Sequence, residues 1–217
     1  NMIGAFYQPR SVVIDMDTLL TLPRREWLSG YAEIIKYGLI GDEKFFEWLE
    51  GHGSLMLSGS VAETMRAIET SCKMKAEIVH KDEREESGLR ALLNFGHTFA
   101  HALEAAAGYD GTLLHGEAVG IGMVLAARLS HRLGYLVQDD VNRIYNHLSS
   151  LGMKTEIRHV AFKAPVTAQD LIATMHKDKK AGVNGIKFVV LKRIGSAALE
   201  AGVPAELIQT LLEESMS

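Results

Sequence analysis

Residues 23–41 of the chain read P-R-R-E-W-L-S-G-Y-A-E-I-I-K-Y-G-L-I-G. Apolar side chains recur in this stretch at helical spacing, at Trp27, Tyr31, Ile34, Ile35 and Leu39. Such spacing places them on one face of an α-helix, and Gly38 and Gly41 favour the end of that helix. Because the same periodicity returns along most of the chain, the sequence predicts a mostly α-helical fold.

The periodicity predicts further helices over residues 42–51, 61–81, 94–107, 116–133, 139–150, 167–176 and 204–215. Two other stretches favour β-structure. Residues 11–15 (S-V-V-I-D) follow Pro9 and are β-branched, which predicts a short buried strand near the start. Residues 185–191 and 197–199 are apolar and lie near glycines, which predicts a small β-hairpin late in the chain.

The composition is that of an ordinary globular protein. Of 217 residues, 47% are hydrophobic and 23% are charged, and the net charge is −4. This balance argues against a disordered chain and against a basic nucleic-acid binder. The longest apolar stretch, residues 118–129, contains Arg128 and glycines and is shorter than the roughly 20 residues of a membrane span. We therefore expect no membrane segment and no nucleic-acid partner.

The cellular setting is predicted from cysteine usage and from the first residues. Cys72 is the single cysteine, so no internal disulfide can form, and no basic-then-apolar leader opens the chain. Both features favour a reducing, cytoplasmic setting. The first residue is Asn1 rather than Met, which favours the interpretation that the chain is a fragment.

Two histidines in residues 94–101 (N-F-G-H-T-F-A-H) are candidates for metal binding. In a helix, His97 and His101 project from one face with Cβ atoms about 5–6 Å apart. That spacing suits two imidazoles on one metal ion, or one imidazole on the metal and the other near a substrate. The alternative is that each histidine is an ordinary surface or partly buried residue.

His115 and Glu33 are further candidate ligands. His115 precedes Gly116 at the predicted start of a helix, where it could add a third imidazole, although a plain turn would have the same sequence. Glu33 has apolar neighbours on a helix that must be largely buried, and a buried carboxylate is costly unless it is paired or metal-bound. Lys36, one turn further on, could instead pair with it, or both could be exposed.

Basic residues suggest anion sites. Arg90 stands directly before an apolar run and four residues before Asn94, where a guanidinium could clamp a phosphate or carboxylate. Residues 176–180 (H-K-D-K-K) form either a second anion site or a solvated loop. The sequence has no Gly-x-Gly-x-x-Gly or Walker loop, so any nucleotide phosphate cradle would have to lie outside this chain.

Several motifs occur in a characteristic order and approximate spacing over nearly the whole chain. They are N-M-I-G-A-F (1–6), Q-P (8–9), S-G-Y-A-E-I-I-K-Y-G (29–38), G-L-R-A-L-L-N-F-G-H-T (88–98), H-A-L-E (101–104), H-G-E-A-V (115–119) and D-K-K (178–180). Together they resemble the C-terminal part of the 3-dehydroquinate synthase family, which belongs to the sugar phosphate cyclases.

The resemblance implies an NAD-dependent, metal-requiring lyase of the shikimate pathway and of aromatic amino acid biosynthesis. Such enzymes convert the sugar phosphate 3-deoxy-arabino-heptulosonate 7-phosphate to 3-dehydroquinate and phosphate. They pair an α/β NAD domain with an α-helical domain and commonly form homodimers. By this resemblance, residues 1–22 are a remnant strand and linker of the NAD domain, residues 23–217 are the helical metal- and substrate-binding domain, and the chain alone is inactive.

The resemblance also implies roles for individual residues. The metal ligands would be Glu33, His97 and His115, with zinc the usual ion. The acid/base residues would be His101 and Glu86; residues 82–87 are one residue longer than the family pattern, so Glu85 could replace Glu86. The substrate contacts would be Lys36, Lys75, Arg90, Asn94 and either Lys179 or Lys180. The NAD contacts on this side would be Asn1, Thr18, Leu19, Leu20 and Thr21.

Two other hypotheses remain open from the sequence. The first is another sugar phosphate cyclase, with the same metal and hydride chemistry on a different sugar phosphate. The second is a non-catalytic helical module for metal binding or dimerisation.

Overall fold

The computed structural model describes residues 7–84, 86–178 and 185–217. Its helices are α1 (Arg24–Gly41), α2 (Glu43–Leu57), α3 (Val61–Lys81), α4 (His97–Ala107), α5 (His115–Arg132), α6 (Gln138–Ser150), α7 (Ala168–Asp178) and α8 (Ala205–Met216). The strands are β1 (Phe188–Arg193) and β2 (Ser196–Glu200), and short 3-10 turns occur at Met16–Leu19, Arg90–Asn94 and Ile157–His159. The prediction of a mostly helical fold with a late hairpin is confirmed.

Helix α5 is the centre of the molecule. Helices α1, α4, α6 and α8 and strand β1 all pack against it. It is buried on nearly every side because its residues 118–127 are small or apolar and almost without exposed surface. A helix that is apolar all round belongs in the middle of a core, and the elements around α5 are thereby held at fixed positions.

Two glycines let the backbones of neighbouring helices touch α5. A Cβ added to Gly116 would lie 2.0 Å from the carbonyl oxygen of Ser29 in α1, and one added to Gly122 would lie 2.2 Å from the carbonyl oxygen of Gly96. No side chain fits at such distances. Direct backbone contact therefore fixes α1 and the start of α4 against α5.

Helix α4 begins later than the sequence pattern predicts. Residues 94–107 were expected to be helical, but Arg90–Asn94 forms a 3-10 turn and Gly96 has a φ of +81°. This left-handed conformation interrupts the helical path and favours glycine. As a result His97 is the first residue of α4, just as His115 is the first residue of α5.

The predicted strand at residues 11–15 is wrong. These residues pair with no strand among the described residues, and Val12 and Val13 are 71% and 93% exposed. A strand needs a neighbour that satisfies its amide and carbonyl groups, and the only sheet in the described ranges is the β1–β2 pair. β-Branched composition indicated a strand, but it does not supply the partner.

The late hairpin closes one side of the core. Strands β1 and β2 are antiparallel, with Val190 opposite Ala198. The amide of Leu191 donates to the hydroxyl of Ser130 in α5 at 2.9 Å, so β1 is tied to the central helix. Across the described ranges, none of the helices has the combination of length and hydrophobicity that spanning a bilayer requires.

Candidate metal centre

Three side chains from three helices converge at one end of α5. Glu33 lies in α1, and His97 and His115 begin α4 and α5. One ligand atom from each residue lies within 4.8 Å of the other two. The Nε2 atoms of His97 and His115 are 3.5 Å and 3.6 Å from Oε1 of Glu33. Two imidazoles and a carboxylate can therefore face one small cation.

The two imidazoles are held so that their Nε2 atoms point into the cluster. Nδ1 of His97 donates to the carbonyl oxygen of Phe95 at 3.1 Å. Nδ1 of His115 is 3.1 Å from Oε1 of Glu104, which places its proton on the side away from the cluster. Metal-binding histidines have this arrangement, with the second nitrogen bonded to a carbonyl or carboxylate.

The two oxygens of Glu33 have different surroundings. Oε2 accepts from Nζ of Lys36 at 2.6 Å, whereas Oε1 is buried and has no hydrogen-bond partner among the described residues. A buried carboxylate oxygen without a donor is unfavourable, and a divalent cation between Oε1 and the imidazoles would satisfy it. The ion-pair alternative for Glu33 and the metal-ligand hypothesis are thus compatible, since each uses a different oxygen.

Electrostatics keep Glu33 ionised. Burial alone would raise the pKa of its carboxyl group, but the two imidazoles and the ammonium group beside it outweigh burial, and the pKa lies well below its ordinary value. Burial lowers the pKa of Lys36, although the charge of Glu33 opposes this. A carboxylate with two imidazoles is a ligand set that suits zinc and similar transition metals, so the residues present fit such an ion.

His101 lies beside the cluster but not in it. Its ring is 5.7 Å from that of His97, centroid to centroid, because the two are one turn apart on α4. The described residues that form the three-ligand group do not include His101. Of the two arrangements that the His97–His101 spacing allowed, the geometry favours one imidazole on the metal and the other adjacent to it.

A capping network holds the start of α5. The carboxylate of Glu117 accepts from the amide of Leu114 at 2.9 Å and from the guanidinium of Arg25 at 2.6 Å and 2.9 Å. Lys154 reaches the same carboxylate at 3.0 Å. Burial would raise the pKa of Glu117, but these donors lower it to about 2. An ionised Glu117 therefore connects α1 to α5 next to His115.

The loop before α4 is organised by Asp82. Its carboxylate accepts from the amides of Ser87 at 3.0 Å and Arg90 at 2.9 Å. These backbone hydrogen bonds lower the pKa of Asp82 to about 2. The guanidinium of Arg90 donates to the carbonyl of Glu83 at 3.2 Å. Arg90 thus begins the turn that leads into His97.

The remaining predicted site residues lie outside the three-ligand group. Asn94 is exposed at the end of the 3-10 turn that precedes His97. Lys75 in α3 and Glu86 are exposed, and the charge of Lys75 contributes to lowering the pKa of Lys36. The predicted NAD contacts Thr18, Leu19, Leu20 and Thr21 form a turn whose Leu19 carbonyl accepts from the indole of Trp27. Four predicted residues lie outside the described residues: Asn1, Glu85, Lys179 and Lys180.

Sequence reasoning did not assign roles to Glu104, Glu117 or Asp82. Glu104 could have been found because it lies two helical turns after His97 and so shares its face. Glu117, two residues after His115, stands at the position where a glutamate caps a helix start. In the sequence Asp82 lies within a run of charged residues, and the pattern does not distinguish it from its neighbours.

Fold and cluster together define a helical domain in which two imidazoles and a carboxylate converge as a ligand set that fits a divalent cation. A family model for the 3-dehydroquinate synthase C-terminal domain matches residues 30–181. The chain belongs to that family.

Curated relatives with the same family name match the whole length of this chain. A 3-dehydroquinate synthase from Ruegeria pomeroyi is 47% identical over 217 residues, which are 100% of this chain and 58% of that protein. One from Nitrobacter winogradskyi is 47% identical over 220 residues, covering 100% of this chain and 57% of that protein. The chain thus spans little more than half the length of these relatives.

Solved structures of sugar phosphate cyclases have the same fold. The 2-epi-5-epi-valiolone synthase of Streptomyces hygroscopicus, with NAD+ and Zn2+ bound, is 27% identical, with a TM-score of 0.75 over 91% of this chain and 53% of that chain. A 2-deoxy-scyllo-inosose synthase complexed with carbaglucose-6-phosphate, NAD+ and Co2+ is 24% identical, with a TM-score of 0.81 over 99% of this chain and 59% of that chain. The second resemblance supports the fold alone.

Proposed function

We propose that this chain supplies the metal- and substrate-binding part of a 3-dehydroquinate synthase. The reaction converts 3-deoxy-arabino-heptulosonate 7-phosphate to 3-dehydroquinate and phosphate, with NAD and a divalent metal as cofactors. The observation that carries the proposal is the convergence of Glu33, His97 and His115, all within the range that the family model matches. Residues 1–22 would belong to the NAD-binding part and residues 23–217 to the helical part.

Glu33, His97 and His115 would hold the ion, for which we propose zinc. When bound, the ion would polarise substrate hydroxyls, and NAD would take up and return a hydride. Three protein ligands leave room for substrate oxygens, as a catalytic zinc site requires.

The chain's own residues would bind the anionic substrate and move protons. We assign Lys36, Lys75, Arg90, Asn94 and a lysine of 179–180 to its phosphate and carboxylate. Cationic side chains and the positive N-terminal ends of α4 and α5 favour negative charge at this place. His101, one turn from a ligand, would take or give a proton at its imidazole, and Glu86 or Glu85 at its carboxylate.

Identity to known proteins favours this synthase over other cyclases. The curated 3-dehydroquinate synthase of Ruegeria pomeroyi is 47% identical to this chain, whereas the valiolone synthase is 27% identical. A substrate panel on a protein that combines this chain with an NAD domain would distinguish them. Turnover of a different sugar phosphate in preference to the heptulosonate phosphate would contradict the assignment.

Elemental analysis of the purified 217-residue protein tests the metal centre. We expect about one zinc per chain, lost in His97→Ala and in His115→Ala. His80→Ala is the matched control because His80 is exposed in α3 and should leave the metal content unchanged. Wild-type protein without metal, or ligand variants that retain it, would contradict the assignment of these residues.

Further proposals concern the protein as a whole. A polypeptide limited to these 217 residues should release no phosphate from substrate with NAD, because the NAD site would be incomplete. Ordinary enzymatic turnover by it would contradict this. If the chain were instead a non-catalytic module, His101→Ala in the complete protein would leave all activity intact.

We also propose a cytoplasmic homodimer, which fractionation and light scattering of the complete protein would test.

A further inference from the structure

His115 is the least constrained of the three proposed ligands. Its side chain is 46% exposed, whereas that of His97 is 11% exposed. The ring of His97 is fixed by the nearby backbone carbonyl of Phe95. His115 begins α5, and its Nδ1 faces a carboxylate of another helix rather than a backbone group. Its orientation therefore depends on a side chain.

That side chain is Glu104, which is only 14% exposed. It lies seven residues after His97 in α4, so the same face of one helix carries a ligand and the partner of a second ligand. Oε1 of Glu104 is 3.1 Å from Nδ1 of His115, while Nε2 of that ring is 3.6 Å from Glu33. The two carboxylates thus occupy opposite edges of one imidazole.

We propose that Glu104 is a positioning residue of the metal centre, an inference that rests on the proposed function. Its carboxylate accepts the Nδ1 proton of His115 and so leaves the Nε2 lone pair directed at the cluster. A carboxylate in this place fixes the tautomer and ring orientation and makes the imidazole a stronger ligand. Glu104 itself does not coordinate the ion, because it lies on the far side of the ring and outside the three-ligand group of described residues.

The test is metal affinity, measured on the 217-residue protein by competition for Zn2+ with a chromophoric chelator. Loss of such a partner weakens metal binding by about 10- to 100-fold, which we expect for Glu104→Ala. Glu104→Gln should fall between, since its amide oxygen still accepts the Nδ1 proton but carries no charge. Glu206→Gln, at an exposed position in α8, is the matched control and should bind as the wild type does.

Two spectroscopic readouts separate positioning from general stability. Substitution with Co2+ should give an absorption spectrum that changes in Glu104→Ala but not in Glu206→Gln. Long-range proton–nitrogen spectra should report a proton on Nδ1 of His115 in the wild type and a mixture of tautomers in Glu104→Ala. If Glu104→Ala fails to fold by circular dichroism, Glu104→Gln carries both measurements.

The outcomes are distinguishable. Wild-type affinity and an unchanged Co2+ spectrum in Glu104→Ala, or in Glu104→Gln if only that variant folds, would overturn the role of Glu104 and leave the metal centre intact. A wild-type protein that binds no metal would overturn the proposed centre, and this inference with it.

Discussion

Gly116→Ala should weaken metal binding although residue 116 is not a ligand. The added Cβ would lie 2.0 Å from the carbonyl oxygen and 2.4 Å from the Cα of Ser29, while real Cβ contacts below 3.0 Å are essentially never seen. The contacting atoms of Ser29 are backbone atoms, so no rotamer change can relieve the clash. Helices α1 and α5 must therefore separate by about 1 Å.

This separation acts directly on the ligands. Ser29 is one turn before Glu33, and Gly116 follows His115, so a movement at the contact opens the cluster. Metal–ligand distances tolerate only about 0.2 Å, and we expect zinc affinity to fall on the order of tenfold or more. Overpacking of this kind costs about 1–3 kcal/mol of unfolding free energy.

Urea unfolding and chelator competition would measure both effects. Gly30→Ala, in the same helix α1, is the matched control because its added Cβ would meet nothing within 4 Å apart from its chain neighbours and the backbone of its own helix. It should keep the wild-type affinity and gain about 0.5–1 kcal/mol through helix propensity. Wild-type stability and affinity in Gly116→Ala would refute backbone contact as the constraint on the site.

Three further predictions concern other parts of the molecule. Burial lowers the pKa of His147 from 6.5 to about 4. As pH falls, His147 therefore takes up a proton in the unfolded chain before it does so in the folded protein. The unfolding free energy should fall by about 3 kcal/mol between about pH 6.5 and pH 4. Urea titrations in which a His147→Gln variant loses as much stability over this range would contradict the prediction. Asp82→Ala should speed amide hydrogen exchange at Arg90, whose N–H loses its acceptor, and unchanged exchange would refute Asp82 as organiser of the loop. Zinc at about 100 times its Kd should raise the unfolding free energy by about 2.7 kcal/mol, and an equal rise in His97→Ala would place the ion elsewhere.

The helices were predictable because their periodicity is a local property of the sequence. Residues 61–81 were predicted as they occur in α3, and most other helix ends agree within two residues. The exceptions have physical causes. Helix α2 continues to Leu57 through Gly51 and Gly53, since packing outweighs their low helix propensity. Residues 11–15 lack a strand partner, and partners are not encoded within the strand itself.

The candidate site was predictable mainly through its motifs. Spacing alone paired His97 with His101, since both lie on one helix. Burial and a helix start made Glu33 and His115 candidates, but spacing could not show that they meet His97, because their proximity depends on how three helices pack. The partners of the two Nδ1 atoms differ in the same way. Phe95 is two residues from His97 and is a local partner, whereas Glu104 is eleven residues from His115 and reaches it only through the packing of α4 against α5.

The contact between Gly122 and Gly96 bears on how sequences of this kind can diverge. Core side chains elsewhere can change size during evolution, and the cost falls on stability. The spacing of the helix starts that carry the two imidazoles is set by backbone contact, so such changes leave that spacing intact. Changes in the core can therefore accumulate while the metal centre is retained, and few positions need to stay fixed beyond the ligands, the positioning residue Glu104 and these glycines.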